Sequence, residues 1–125
     1  MYGYLIVFVG AGIGGAMRHG VNVAALVLFG PGFPFGTLGV NVMGSLVLGL
    51  LTGWFALKLD PGQHWRLFLT TGILGGFTTF STFSLETALL LERGAPWIAA
   101  TYALLSVVLS TAALFAGLML VRQVA

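Results

Sequence analysis

The chain has 125 residues, 58% of them hydrophobic and only 6% charged, with no cysteine and a formal charge of +2. At a mean hydropathy of +1.06 it holds too few polar groups to cover a water-soluble domain, so the composition is that of an integral membrane protein. The missing cysteine excludes disulfides, thiolate metal sites and cysteine nucleophiles. A small charge on so few ionisable groups suggests no nucleic-acid partner.

Met1-Tyr2-Gly3-Tyr4 carries no basic residue, so the first apolar run is expected to be a retained span rather than a cleaved signal peptide. An all-α membrane protein is predicted, one integral membrane domain over 1–125 with four crossings at about 4–29, 37–57, 65–91 and 96–121. The first crossing ends in Gly30-Pro31-Gly32-Phe33-Pro34-Phe35-Gly36, rich in helix breakers and in aromatic anchors. The second stops at a polar connector with Lys58, Asp60, Pro61, Gly62, Gln63 and His64; the third stops at Glu92-Arg93-Gly94. Trp54, Trp65 and Trp97 fall near predicted ends, where an aromatic belt belongs. Lys58, Arg66 and Arg122 share one side, against Arg93 and, depending on its depth, Arg18 on the other. So weak a bias is compatible with a single orientation or with chains inserted both ways and paired as an antiparallel dimer.

The third crossing contains Gly75-Gly76-Phe77-Thr78-Thr79-Phe80-Ser81-Thr82-Phe83-Ser84. Two adjacent glycines loosen the backbone, and the hydroxyl residues that follow compete for helical carbonyls. Irregular backbone at bilayer depth is tolerated where it is buried in protein or lines a wet cavity. A break in this third helix therefore points to a path or an ion site.

Around it stand the residues that could carry chemistry. Arg18 lies about fourteen residues into the first crossing, where a charge is costly and a functional candidate; the other reading is a structural Arg paired with carbonyls or with Glu86. His19 has no second His at ligand spacing. Gly10 and Gly14, Gly49 and Gly53, and Gly72 and Gly76 form G-x-x-x-G pairs, read as close helix packing. Asn41, Ser45, Gly49 and Thr52 share one stripe; Asn41 is either an amide donor to a dehydrating anion or glue to a neighbouring helix. Tyr102, Ser106 and Ser110 lie on one face of the fourth crossing, and the row stops at Leu114. Phe80 and Phe83 read either as packing or as ring edges, which are positive and can face an anion. Such neutral donors hold an anion loosely enough to release it, as conduction requires.

Together these stretches resemble the CrcB/Fluc family of fluoride channels over essentially the whole chain. The resemblance is carried by Gly14-Gly15-Ala16-Met17-Arg18-His19, by Gly36-Thr37-Leu38-Gly39-Val40-Asn41-Val42-Met43-Gly44 and by the run from Gly72 through Glu86. It implies an antiparallel dual-topology homodimer with two pores, passing fluoride passively out of the cytoplasm of a prokaryote across its plasma membrane, the inner membrane in a Gram-negative cell. It implies that Phe80, Phe83, Asn41, Ser81, Thr82, Tyr102, Ser106 and Ser110 form the fluoride pathway. Carbonyls of Gly75 and Thr78 from both chains are implied to hold a central structural Na+. Arg18 matches the family's Arg in the first span, and Glu86 falls toward a mouth. His19 departs from the family's usual aromatic, and Leu114 ends the hydroxyl row early.

The competing reading is a small proton-coupled exporter of lipophilic cations, for which Glu86 is the one membrane-embedded carboxylate. A third is a non-transporting subunit of a larger assembly, against which the hydroxyl-rich centre argues. No nucleophile–base pair, metal cluster or phosphate loop points to an enzyme.

Overall fold

In the computed structural model, residues 2–57 and 61–124 are described. Lys58 and Asp60 of the polar connector lie outside the described residues. The architecture is all-helical, with no strand among the described residues.

Helix α1 runs Tyr2–Phe29 and α2 runs Phe35–Leu57. Between them Gly30 takes a left-handed φ of 79°, a conformation open to glycine, and Pro31 prevents the helix from resuming. The rings of Phe29, Phe33 and Phe35 close this turn, with centroids 4.9 Å and 4.8 Å apart. The chain over 63–92 is divided into α3 (Gln63–Arg66), a π-helical stretch (Leu67–Leu74), α4 (Gly75–Phe77) and α5 (Ser81–Glu92). Helix α6 spans Pro96–Val124. Pro96 suits a first helical turn, since its missing N–H would have no partner there. The turn before it is a Schellman cap: Gly94 has a φ of 81°, Ala95 N–H donates to the Leu90 carbonyl and Gly94 N–H to that of Leu91.

The π-helical stretch was not foreseen. The Thr70 hydroxyl donates to the Arg66 carbonyl at 2.6 Å, occupying the acceptor that an α-helical Thr70 amide would use. Downstream, the Gly75 amide reaches back to the Thr70 carbonyl, five residues away.

Among the described residues, three segments are long and apolar enough to cross a membrane: Tyr2–Phe29 of α1, Phe35–Ala56 of α2 and Pro96–Val124 of α6. The protein is a membrane protein. Large side chains such as Phe8, Val27 and Trp97 are more than three-quarters exposed, the arrangement for contact with lipid or another chain rather than water.

The small residues set the helix spacing. Gly10 and Gly14 of α1 lie on the π-helical stretch and α4; a Cβ on Gly10 would stand 2.9 Å from Gly72 Cα. Helices α2 and α6 pack most extensively, with Gly49 against the Leu114 carbonyl and Gly117 against Leu46 and Leu50. Gly53 is looser, with Val121 Cβ at 3.3 Å. Gly117 has no G-x-x-x-G partner in sequence, and its role emerges only from the pairing of α2 with α6. A small core of Leu90, Ala99 and Tyr102, flanked by Phe33, Leu38 and Phe83, joins α5 to α6.

Candidate functional site

Between α4 and α5 the helical ladder stops. Thr78 is extended, with φ −87° and ψ 158°, and the chain becomes helical again at Ser81. The peptide groups so released find side chains. Thr79 N–H donates to Asn41 Oδ1 at 2.8 Å, and Asn41 Nδ2 donates to the Thr79 carbonyl at 3.0 Å. The amide of Asn41 thus stands in for a strand partner, meeting both polar groups of one residue. Thr79 Oγ1 accepts from Thr82 N–H at 3.1 Å, capping the first turn of α5. Arg18 Nε donates to the Gly76 carbonyl at 3.1 Å.

These bonds have a consequence for two carbonyls. In an unbroken helix the Thr79 amide would serve Gly75 and the Thr82 amide would serve Thr78. Both amides are spent elsewhere, on Asn41 and on Thr79 Oγ1. The carbonyls of Gly75 and Thr78 have therefore lost their helical donors. That donor set suits a hard cation bound by neutral oxygens. No group of three or more His, Cys, Asp or Glu side chains is placed to hold a metal among the described residues.

The break lines an open cleft of about 420 Å³. Asn41, Phe80, Phe83, Ser106, Ser110, Gly75 and Thr78 all line it. The hydroxyl oxygens of Ser106 and Ser110 are buried and have no hydrogen-bond partner. Leaving a buried hydroxyl unmet costs about 1–3 kcal/mol, so two of them on one wall mark a place for a polar occupant. The Phe80 and Phe83 rings lie 5.5 Å apart, and Phe80 is 77% exposed.

Other candidates stand elsewhere. Ser81 and Thr82 are absent from the cleft wall; Ser81 is exposed, its hydroxyl 3.3 Å from that of Thr79. Tyr102 is fully buried behind Phe83, at 5.2 Å between ring centroids, and its hydroxyl donates to Glu86 Oε1 at 3.1 Å. Glu86 lines a second cavity of about 620 Å³ together with Asn22, Phe33 and Arg93. Arg18 reaches a carbonyl and not Glu86, and lines neither cavity. His19 is exposed. At Leu114, where the hydroxyl row of α6 ends, the α6 backbone closes on Gly49 of α2.

Two residues were passed over in sequence. Thr79 is the hub of the break, and its signal was a hydroxyl three residues before an amide at a helix start. Thr37, 1% exposed, stands four residues before Asn41 and extends the polar stripe of α2 by one turn. Replacing Tyr102 with Phe is expected to leave Glu86 without its donor and to lower stability by about 1 kcal/mol, read as a downshifted thermal transition in detergent.

The family model of the CrcB-like proteins, described as Camphor Resistance (CrcB), matches residues 5–118. The chain belongs to the CrcB-like family. It is 62% identical over 123 residues to a protein of Methylobacterium nodulans, with 98% of each chain covered, named fluoride-specific ion channel FluC. A protein of Granulibacter bethesdensis with the same name is 61% identical, covering 98% of this chain and 96% of its own. A third, fluoride-specific ion channel FluC 2 of Nitrobacter hamburgensis, is 57% identical, covering 96% and 97%. These relatives of the CrcB-like chain bear the names of channels, not of enzymes.

Proposed function

We propose that this CrcB-like chain is a fluoride-selective channel that lets the anion leave the cytoplasm down its electrochemical gradient. The observation that carries the proposal is the cleft lining: the buried, unpartnered Ser106 and Ser110 hydroxyls share one cleft with Asn41 and with Phe80 and Phe83. Fluoride gives up its water reluctantly, and each of these groups offers positive character without a fixed charge. Asn41 Nδ2 carries two hydrogens and spends one on Thr79, which leaves one for an anion. A fixed Lys or Arg would bind fluoride too tightly for passage, whereas several moderate sites allow both entry and release. Tyr102, Ser81 and Thr82 extend the proposed pathway beyond the cleft wall. An inside-negative potential drives the anion outward with about 2.3 kcal/mol per charge per 100 mV. The setting is the plasma membrane of a bacterium, the inner membrane where there are two.

In this reading the segments over 63–92 together make a fourth crossing, interrupted at 78–80, and two chains pair head to tail around two pores. The exposed Phe80 ring and the exposed Gly75 support a site completed by a second copy. Na+ at the carbonyls of Gly75 and Thr78 of both chains would supply the charge that the displaced amides no longer provide.

Purified protein in liposomes loaded with potassium fluoride or potassium chloride is the test, with the released anion measured by electrode. Fluoride is expected to leave rapidly and chloride at the rate of empty vesicles. Equal release of both, or of neither, overturns the proposal. In the same assay Asn41→Asp is expected to reduce fluoride efflux to background, because a carboxylate on the cleft wall repels the anion and cannot donate to the Thr79 carbonyl as Asn41 Nδ2 does. Robust flux in that variant would take Asn41 out of the pathway.

A further inference from the structure

The break deprives the Gly76 carbonyl of its helical donor, the amide of residue 80, because α4 ends at Phe77. Arg18 supplies the replacement, and it does so through Nε, the inner nitrogen of the guanidinium, at 3.1 Å. The contact is made where α1 and α4 touch backbone to backbone: a Cβ on Gly76 would stand 2.8 Å from Ala11 Cα. On the other side of the break Asn41 of α2 holds both polar groups of Thr79. The short segment that leads into Phe80 is therefore pinned at both ends, by side chains from two different helices. Arg18 does not pair with Glu86, whose carboxylate already accepts from Tyr102.

Taking the chain to be the channel argued above, we propose that Arg18 is a positioning residue. Its Nε–H stands in for the missing amide at Gly76 and fixes the approach to Phe80, and its charge is not what the channel uses. Helices elsewhere meet a released carbonyl with water or a hydroxyl; here an arginine carries that task because the gap opens inside an apolar segment. A positively charged side chain near an anion path would otherwise be read as an attractor of the anion.

The two roles separate cleanly by chemistry. Arg18→Gln places an N–H at Nε2, the same number of bonds from the backbone as the arginine Nε, and removes the charge. Arg18→Lys keeps the charge and puts a methylene at that position. Positioning predicts that Arg18→Gln keeps fluoride efflux within about threefold of wild type while Arg18→Lys loses about tenfold, the factor given by one lost hydrogen bond of ordinary strength. Hydrogen–deuterium exchange over 76–82 is expected to quicken about tenfold in Arg18→Lys and to stay unchanged in Arg18→Gln. The reverse pattern, with Lys active and Gln inactive, overturns the proposal, as does unchanged exchange in both. If wild type passes no fluoride, the channel reading fails and the exchange rates alone decide the role of Arg18. If Arg18→Lys yields no folded protein, Arg18→Met, which lacks both donor and charge, takes its place. Quickened exchange in Arg18→Met with native exchange in Arg18→Gln again assigns the role to the donor, and native exchange in Arg18→Met overturns it.

Discussion

Phe83→Ile and Phe80→Ile are each expected to cut fluoride efflux from liposomes by more than about tenfold, or about 1.4 kcal/mol in the barrier. Isoleucine keeps apolar bulk at both positions, so the substitution removes the ring and little else. What is lost is the positive ring edge. The two positions differ in structural cost. Phe83 packs on Tyr102 at 5.2 Å between centroids, and losing that aromatic pair costs about 0.5–1.5 kcal/mol of stability. Phe80 is 77% exposed, so Phe80→Ile is expected to fold like wild type and still lose flux. A Phe80→Ile channel with wild-type efflux would remove that ring from the mechanism, and unchanged flux in both variants would remove the pair.

The second large effect is structural. Gly14→Val is expected to destabilise the fold by about 1–3 kcal/mol or more, since the contact is with backbone that no side-chain rotation can relieve. The first added carbon would run into the Ile73 carbonyl and come within 2.8 Å of the Phe77 nitrogen. Helix α1 would have to move away from α4, which also takes Arg18 from Gly76. The control lies one helical face away: a Cβ on Gly12 meets nothing within 4 Å. Gly12→Ala is expected to be neutral or to gain up to about 1 kcal/mol from helix propensity. Thermal unfolding in detergent, followed by size-exclusion chromatography, separates the two. Equal transitions for both variants would show that α1 does not rest on the broken segment through Gly14.

Much of the candidate site could be read in the residues because its signals are local. Phe80, Phe83, Ser106 and Ser110 repeat at helical spacing, and the glycine pair followed by hydroxyls announces a backbone that will not hold a regular ladder. Long-range partners carry no such mark. That Asn41 would meet Thr79 with both ends of its amide depends on α2 passing beside the break, thirty-eight residues away in sequence. Tyr102 shares the periodicity of Ser106 and Ser110, yet it turns to Glu86 and is sealed behind Phe83. Periodicity assigns a face, and only packing decides what that face meets.

By itself the order of residues determined that this protein belongs in a membrane, that its helices approach through glycine, and which neutral donors it owns. Those properties follow from transfer energetics and local backbone preference, which act residue by residue. The tertiary structure decided which carbonyls lose their donors, which hydroxyls are buried without partners, and that Arg18 bonds backbone rather than Glu86. Asn41 and Arg18 reach the break from other helices, and glycine surfaces let those helices come close.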